Sequence, residues 1–326
     1  MNKLTGKSIL VTGGTGSFGQ ALIGHLLGIK QSFSSITVFS RDEYKQYQMR
    51  RKYNEVTNLR FIIGDVRDEK ALTEACRNID VVIHAAALKQ NISGEVYPEE
   101  FIKTNIDGTR NLIRAAVHEQ VEKVIALSTD KAVYPTTLYG ASKLSAEKLL
   151  VGANEKYADL TQFAIIRLGN LFGSRGSVLY ALNEDSAQHE VRITQPKMSR
   201  FSLSMEEGVH SALKVLECMK GGEVFVPKMS AYTLEKLVRA MGLKLAKQDT
   251  GPRLTEKIHE QALSSEEVRY TFEWENFYIY LNPNTQQYQH WKQTGKKLPE
   301  TFEYRSDLAP QISISDLQQQ ISFYLS

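Results

Sequence analysis

Between Ser128 and Lys143 the sequence places several side chains that can move protons. Tyr139 and Lys143 lie four residues apart, so on a helix they share one face and the ammonium can favour the phenolate. A phenol assisted in this way accepts a proton near neutral pH. Asp130 and Lys131 precede the tyrosine and add a carboxyl group and an amine. An alcohol dehydrogenase needs only the tyrosine and the lysine, so the segment predicts more than one proton transfer.

Alternating apolar runs and helix-compatible stretches predict the elements that position these side chains. Strands are predicted at 7–12, 35–40, 59–63, 81–85, 121–128 and 163–167, with helices at 17–27, 42–53, 69–76, 98–120 and 139–153 between them. This alternation indicates a doubly wound parallel α/β sheet of the Rossmann type. The proton-transfer side chains then follow the fifth strand, at the edge where such sheets bind ligands. Without that placement, the tyrosine–lysine spacing would be a common accident on helices and the Asp–Lys pair a solvated turn.

The pattern changes after residue 170. Small and turn-forming residues at 171–178 are followed by predicted helices at 206–218 and 233–241 and a strand at 223–226. We therefore expect residues 1–170 to form a dinucleotide-binding domain. Residues 171–326 would form mainly a smaller α/β substrate lobe, with some segments returning to the first domain.

Composition limits the function classes. The chain has 326 residues, of which 42% are hydrophobic and 24% charged, and a net charge of +3. That charge is too small to indicate nucleic-acid binding, and no apolar run of about 20 residues predicts a membrane span. Cys76 and Cys218 fit no metal spacing, so we expect reduced thiols, no metal and a cytoplasmic location.

A glycine motif follows the first predicted strand and opens the first helix. Gly13, Gly16 and Gly19 have the spacing that permits a tight turn, close approach to a pyrophosphate and close helix packing. The helix N-terminus then offers free N–H groups to the anion. The motif predicts a dinucleotide site that also includes Thr15, Ser17 and Phe18.

The end of the second strand bears on which dinucleotide is bound. An NAD site usually has a carboxylate there, whereas this chain has Ser40, Arg41 and Asp42, followed by Lys45. The planar donors of arginine suit a 2′-phosphate. We therefore predict NADP, with Asp42 as the residue that argues for NAD unless it faces solvent.

Two further strand ends complete the predicted cofactor site. Asp65 and Val66 follow the third strand, where they would meet the adenine. Three alanines follow the fourth strand and would let the cofactor lie against the backbone. His84, just before them, is expected to be a packed histidine rather than a ligand. The alanines are Ala85, Ala86 and Ala87.

These motifs together resemble the extended short-chain dehydrogenase/reductase family. Within it, the segments 87–90, 102–105, 169–178, 221–228 and 256–260 look like the inverting UDP-N-acetylglucosamine 4,6-dehydratases of pseudaminic-acid-type pathways. The most specific element is Thr129–Lys131, a Thr-Asp-Lys sequence in place of the Thr-Asp-Glu of hexose-nucleotide 4,6-dehydratases. The resemblance covers nearly the whole chain.

The resemblance implies a role for each residue of the predicted site. Tyr139 would take the proton of the sugar 4-hydroxyl, while Lys143 keeps the phenol acidic and holds the nicotinamide ribose. Lys131 would remove the C5 proton, provided that crowding by cations or burial lowers its pKa. Asp130 would expel the 6-hydroxyl as water, and Thr129 would hydrogen-bond the 4-oxygen.

The resemblance also implies binding residues and a homo-oligomeric state. Asn105 and Leu171 would contact the cofactor. The candidate contacts to a UDP-amino sugar are Lys89, Asn170, Ser177, Val178, Thr194, Met198, Arg200, Arg253 and Glu256. Arginines among them could bind a diphosphate in bidentate fashion.

Four segments depart from the pattern of the family. Asn91–Gly94 replaces a valine-proline segment, Tyr134 replaces a common asparagine, Leu168 a tyrosine and Thr255 a glycine. These changes leave open a sibling reaction on a UDP-amino sugar that forms or consumes a 5,6-ene or epimerises C5. A plain NADP-dependent reductase or epimerase, using only Tyr139 and its lysine, and a non-catalytic NADP sensor are the other hypotheses.

Overall fold

A mixed sheet of ten strands forms the centre of the molecule in a computed structural model, which describes residues 4–29, 33–185, 190–191, 195–245 and 255–325. Its order is β15-β13-β14-β10-β6-β5-β4-β1-β2-β3, parallel from β10 to β3 and antiparallel beyond β10. The strands are β1 (Ser8–Thr12), β2 (Ser35–Ser40), β3 (Leu59–Ile63), β4 (Val81–His84), β5 (Lys123–Thr129), β6 (Gln162–Leu168), β10 (Val224–Pro227), β13 (Thr271–Trp274), β14 (Phe277–Tyr280) and β15 (Lys296–Lys297).

The parallel strands are covered by helices. In β1, Ile9, Leu10 and Val11 are fully buried, which is why this strand reads as a continuous apolar run rather than an alternating one. The predicted doubly wound α/β fold is confirmed. The helices associated with this sheet are α1 (Ser17–Gly28), α2 (Glu43–Lys52), α3 (Glu69–Cys76), α4 (Asn91–Val96), α5 (Pro98–Phe101), α6 (Gly108–His118), α7 (Leu138–Tyr157), α9 (Met205–Cys218) and α12 (Gln286–Thr294).

The single helix predicted at 98–120 is interrupted in the structure. A π-helical stretch, Ile102–Asp107, separates α5 from α6. The buried Asn105 in this stretch accepts from Leu88 N at 2.9 Å and donates to Leu88 O at 2.9 Å and Ser142 Oγ at 3.0 Å. The wider turn thus presents an amide side chain to the loop after β4 and to α7, a use of π-helix that is common near functional sites.

A second, smaller core lies among the segments after β6. It joins Phe172, Leu179, Met198 and Tyr232 to α10 and to Leu317 of α13. Short strands pair here in the orders β11-β9-β7 and β12-β8. These elements are β7 (Asn170–Leu171), α8 (Val178–Asp185), β8 (Glu190–Val191), β9 (Ser199–Leu203), β11 (Ser230–Thr233), α10 (Leu234–Ala240), β12 (Lys244–Leu245), α11 (Ser265–Val268) and α13 (Ile314–Leu325).

The sequence predicts neither a membrane span nor a metal site, and the described part of the chain bears on both. Among its helices, none is long and apolar enough to cross a membrane. Within the same residues, no group of histidine, cysteine or carboxylate side chains could hold a metal ion. Cys76 and Cys218 are both free thiols.

Candidate active site

The glycine loop lies against the end of β4. Gly13 has φ +67°, and a Cβ there would lie 2.7 Å from the backbone N of Ala86. A Cβ on Gly19 would lie 2.5 Å from Gly14 Cα. Both positions therefore require glycine, because any side chain would collide with backbone. The result is an open backbone surface at the start of α1, where N–H groups can face an anion.

The carboxylates at the ends of β2 and β3 are already engaged. Asp42 is the N-cap of α2, accepting from Lys45 N at 3.0 Å and pairing with Lys45 Nζ at 2.5 Å. Asp65 accepts from Arg67 at 2.6 Å and lies 3.5 Å from Arg41 Nη1. Burial acts to raise the pKa of Asp65, but its hydrogen bonds from Arg67 and the charge of Arg41 lower it overall. The guanidinium of Arg41 remains about half exposed at the end of β2.

The other predicted cofactor residues lie along the same edge of the sheet. His84 is buried, and its Nδ1 lies 2.7 Å from Thr12 Oγ1. Burial, aided by the charge of Lys143, lowers the pKa of His84 to about 3, so it is a neutral packed histidine. Asn105 uses its amide within the protein, as described above. Four of them are buried (Thr15, Phe18, Ser40 and Val66), five are partly exposed (Gly16, Ser17, Ala85, Ala86 and Leu171), and Ala87 is exposed.

Lys131 lies in the one-turn 3₁₀ helix Asp130–Ala132, directly after β5. Its Nζ donates to Asp130 Oδ1 at 3.0 Å and to Asn170 Oδ1 at 2.9 Å, and it lies 3.7 Å from Glu260 Oε1. Thr129 Oγ1 also donates to Asp130 Oδ1, at 2.9 Å. The structure thus brings together an amine, two carboxyl groups and an amide at the end of β5.

The condition set for Lys131 to act as a base, a lowered pKa, is not met in this structure. Burial does act in that direction, but the charges of Asp130 and Glu260 outweigh it, and the pKa of Lys131 is raised. The amine is therefore an ammonium in the ligand-free protein. The neighbouring charges that decide the pKa of Lys131 are carboxylates, whereas cations were expected from the sequence.

The two carboxyl groups have opposite pKa shifts. Burial raises the pKa of Asp130; Lys131 opposes this shift and the charge of Glu260 adds to it. Burial also acts to raise the pKa of Glu260, but Lys131, Arg200 and Lys257 together hold it below its usual value. Groups whose environments separate their pKa values in this way suit an acid and an ionised partner. Asp130 is the candidate acid.

Tyr139 and Lys143 lie on the first two turns of α7. The helix begins with Thr137 as N-cap, and Glu95 accepts from Leu138 N at 3.0 Å. Lys143 Nζ donates to Leu127 O at 2.7 Å, and burial lowers its pKa to about 8.

The electrostatics around the phenol differ from the prediction. Burial raises the pKa of Tyr139, while the charge of Lys131 and a hydrogen bond with Thr129 act to lower it. The cation that opposes the effect of burial on the phenol is thus Lys131, whereas the sequence assigned this role to Lys143.

Seven of the nine predicted substrate residues lie in the described part of the chain. Asn170 contacts Lys131, and Lys89 Nζ lies 3.3 Å from Ser174 Oγ with its pKa lowered by burial and by the charges of Arg175 and Lys131. Arg200 donates to the carbonyls of Ser199 and Ile258 at 2.8 and 3.1 Å, and its Nη2 lies 3.7 Å from Glu256. Met198 is buried beside Arg200, Val178 begins α8, and the Ser177 hydroxyl is buried without a hydrogen-bond partner among the described residues. Thr194 and Arg253 lie outside the described residues.

Sequence reasoning missed two residues of this site. Glu260 belongs to the segment 256–260, in which only Glu256 was predicted to contact the substrate. Arg175 donates from Nη2 to Thr15 O at 2.6 Å, and its backbone N donates to Ser17 Oγ at 3.1 Å, so it lies across the glycine loop. In the sequence, Arg175 directly precedes Gly176, and this pair could have indicated an arginine held by a tight turn. In the structure Gly176 has φ +68°.

Comparison with known proteins agrees with this geometry. Residues 9–282 match the family model described as "Polysaccharide biosynthesis protein". The chain belongs to this family. It is 42% identical over 317 residues, covering 94% of each chain, to the inverting UDP-N-acetylglucosamine 4,6-dehydratase of Campylobacter jejuni. The predicted resemblance is confirmed.

Two other known proteins are similar to this chain over most of its length. A UDP-glucose 4-epimerase of Rickettsia bellii is 42% identical over 280 residues, covering 83% of this chain and 82% of the epimerase. The crystal structure of Pen from Bacillus thuringiensis superposes with a TM-score of 0.89 at 32% identity, covering 99% of both chains. The whole fold, including the segments after residue 170, is therefore shared with a known structure.

Proposed function

We propose that this protein is an NADP-dependent 4,6-dehydratase of UDP-N-acetylglucosamine. It would invert C5 and yield a UDP-4-keto-6-deoxy-L-amino sugar. The observation that carries the proposal is the contact of Lys131 Nζ with both Asp130 and Asn170 beside Tyr139. A reductase or epimerase has no use for this second acid–base pair, whereas elimination of water from C5 and C6 requires one.

The residues present fit a dinucleotide. Gly13 and Gly19 leave a backbone cradle that a Cβ would fill, and Arg41 stands exposed at the end of β2. Asp42 is occupied by the N-terminus of α2 and by Lys45, so it is not directed at a ribose hydroxyl. These contacts favour a 2′-phosphate, and hence NADP, over the free hydroxyl of NAD.

The chain's own residues would handle three protons. Bound NADP⁺ would supply hydride chemistry, accepting hydride from C4 and returning it to C6. As hydride returns, C5 would take a proton from the face opposite to the one that it lost, which inverts C5. Tyr139 would take the proton of the 4-hydroxyl as the 4-ketone forms. The ketone acidifies the C5 proton, which Lys131 would remove once it has passed its own proton to the carboxylate of Asp130, 3.0 Å away. Asp130, whose pKa is raised by burial, would then give that proton to the departing 6-hydroxyl.

One atom supports the role of Asp130. Its side chain is fully buried, and Oδ2 has no hydrogen-bond partner among the described residues. A buried oxygen without a partner costs roughly 1–3 kcal/mol. A substrate hydroxyl placed there would remove that cost, so the atom is suited to contact the 6-oxygen.

The substrate would lie between the sheet edge and the lobe after residue 170. Burial lowers the pKa of Lys89, and the charges of Arg175 and Lys131 add to this shift, so three cations lie in this region. The diphosphate of a UDP-sugar would relieve that repulsion, and the buried Ser177 hydroxyl would gain a partner. Residues 1–170 would then hold the cofactor and 171–326 mainly the sugar nucleotide.

The deciding experiment is NMR of UDP-N-acetylglucosamine incubated in deuterated water with the NADP⁺-loaded protein and no reductant. The expected product is a 4-keto-6-deoxy sugar with inverted C5 carrying deuterium. A product without deuterium at C5 would exclude proton exchange by Lys131. Full turnover by Lys131→Ala would also refute the dehydratase assignment.

A second candidate is a UDP-sugar 4-epimerase, which the similarity to the Rickettsia bellii protein favours. Such a reaction would use Tyr139 and Lys143 and leave Asp130 and Lys131 idle. The same NMR experiment separates the two, because an epimerase inverts C4 and retains the 6-hydroxyl. A 5,6-ene as the end product would indicate the sibling reaction.

A further inference from the structure

The backbone of Tyr134 adopts an unfavourable conformation next to the catalytic turn. Its φ is +45°, in the left-handed region that bulky residues rarely occupy. Such a conformation costs on the order of 1 kcal/mol or more and persists only where contacts impose it. The side chain is 48% exposed, so burial is not what holds it.

Hydrogen bonds of the phenol hold this residue instead. The Tyr134 hydroxyl donates to Glu266 Oε2 at 2.8 Å and accepts from Ser265 N at 3.1 Å, and it lies 2.9 Å from Ser265 Oγ. These partners belong to the segment that carries α11, far along the chain. A tyrosine that is half exposed is thus tied at its far end to another part of the fold.

Two neighbouring contacts join the same two segments. Thr136 Oγ1 donates to Thr255 O at 2.8 Å, and Lys257 Nζ donates to Val133 O at 2.7 Å. We call these contacts and those of Tyr134 the clasp between loop 133–136 and segment 255–266. That segment also carries Glu256 and Glu260, which face Arg200 and Lys131. The clasp therefore joins the loop that follows the acid–base pair to a segment of the substrate lobe.

Both sides of the clasp are fixed to α7. A Cβ on Gly140 would lie 2.3 Å from Lys131 O, so the catalytic turn packs directly on this helix. On the other side, Glu267 pairs with Arg167, which also pairs with Glu147 of α7, each at 2.7 Å. A shift of loop 133–136 would consequently move Lys131 relative to the rest of the site.

We propose that Tyr134 is a positioning residue whose hydroxyl latches loop 133–136 to segment 255–266, thereby holding Asp130 and Lys131 in place beside Tyr139. The proposal rests on the proposed function for its catalytic consequence. Asparagine would adopt the same φ without needing the latch, since it is among the residues that tolerate the left-handed region. This explains how the chain can carry a tyrosine at a position where asparagine suits the backbone better.

The test compares Tyr134→Phe with Tyr134→Asn. Tyr270→Phe, at an exposed tyrosine two residues after α11, is the control. The Phe variant keeps the strain and loses the latch, so kcat should fall about 5- to 30-fold, the factor that corresponds to one or two kcal/mol. Its KM for the UDP-sugar should change less than about twofold, because the backbone of segment 255–266 stays in place. The Asn variant should keep most of the wild-type kcat.

Hydrogen exchange gives a second measurement that does not depend on the reaction. Peptides covering 131–137 should exchange at least about fivefold faster in the Phe variant than in wild type, with the Asn variant and the control unchanged. Wild-type kcat and exchange in the Phe variant would overturn the latch. Equal losses of kcat in the Phe and Asn variants would also contradict the proposal, because the hydroxyl would then not act by holding the backbone. Failure of wild type to dehydrate UDP-N-acetylglucosamine would refute the function alone, since the exchange comparison still decides the latch.

Discussion

Replacing Lys143 by methionine should stabilise the protein while abolishing its activity. The side chain is 5% exposed, and burial lowers its pKa to about 8 from the usual 10.5. Each pKa unit corresponds to about 1.4 kcal/mol, so at pH 7 holding the charged amine inside costs about 3 kcal/mol. Methionine fills a similar volume without a charge. It forfeits the hydrogen bond to Leu127 O, which offsets about 1 kcal/mol, and the expected net gain is about 2 kcal/mol.

The pH dependence gives this prediction a definite sign. Between about pH 8 and 10.5 the unfolded chain binds a proton at Lys143 that the folded protein does not, so wild-type stability rises with pH in this window. Below pH 8 the full cost is present, and above 10.5 it disappears. The difference in the free energy of unfolding between variant and wild type should therefore change by about 2.5 kcal/mol between pH 7 and pH 10, which removes the stability gain of the variant.

Urea unfolding of the cofactor-free proteins at pH 7 and pH 10 measures both quantities. Lys156→Met, at an exposed position of the same helix, is the matched control and should change the free energy of unfolding by less than about 0.5 kcal/mol at either pH. A Lys143→Met variant that is less stable than wild type at pH 7, or whose difference from wild type is the same at both pH values, would refute the reasoning.

Three other substitutions test separate parts of the site. Glu260→Gln removes a charge that raises the pKa of Lys131, so the rise of C5 deuterium exchange with pH should move to lower pH; an unchanged profile would contradict this. Gly13→Ala places a Cβ 2.7 Å from backbone at positive φ and should abolish NADP⁺ binding by calorimetry, whereas Gly28→Ala, with nothing within 4 Å, should bind normally. Arg41→Ser should raise KM for NADP⁺ about 10- to 100-fold and leave that for NAD⁺ unchanged; equal effects on both would argue against a 2′-phosphate contact.

The elements that depend on local sequence were predictable. The parallel strands are short and largely apolar, all but β4 are followed by glycine or a charged residue, and the glycine motif marks the first strand-to-helix turn. Strand order in the sheet then follows from the doubly wound topology. The break of the helix at Ile102–Asp107 was not predicted, because its apolar residues keep a helical spacing through the π-helical stretch.

The altered segment Asn91–Gly94 shows a second limit. It forms most of α4, which brings Glu95 to the N-terminus of α7. Tyr134 likewise contacts α11 through its hydroxyl. Both are contacts between elements far apart in the chain, which no spacing within one segment reveals. Leu168 is buried at the end of β6, and nothing in the structure explains why it is not a tyrosine.

The electrostatics of the two lysines were the hardest feature to predict, and they carry a consequence for the reaction. Lys143 has little besides Glu147 to balance its burial, whereas Lys131 faces Asp130 and Glu260, the latter delivered by a distant segment. At neutral pH Lys131 is the more firmly charged of the two. Burial raises the pKa of Tyr139 and the charge of Lys131 opposes that rise, so the proton should leave the 4-hydroxyl while Lys131 is still an ammonium. Removal of the C5 proton then needs the neutral amine, and the proposed dehydration must therefore lose the Lys131 proton between its first and second steps.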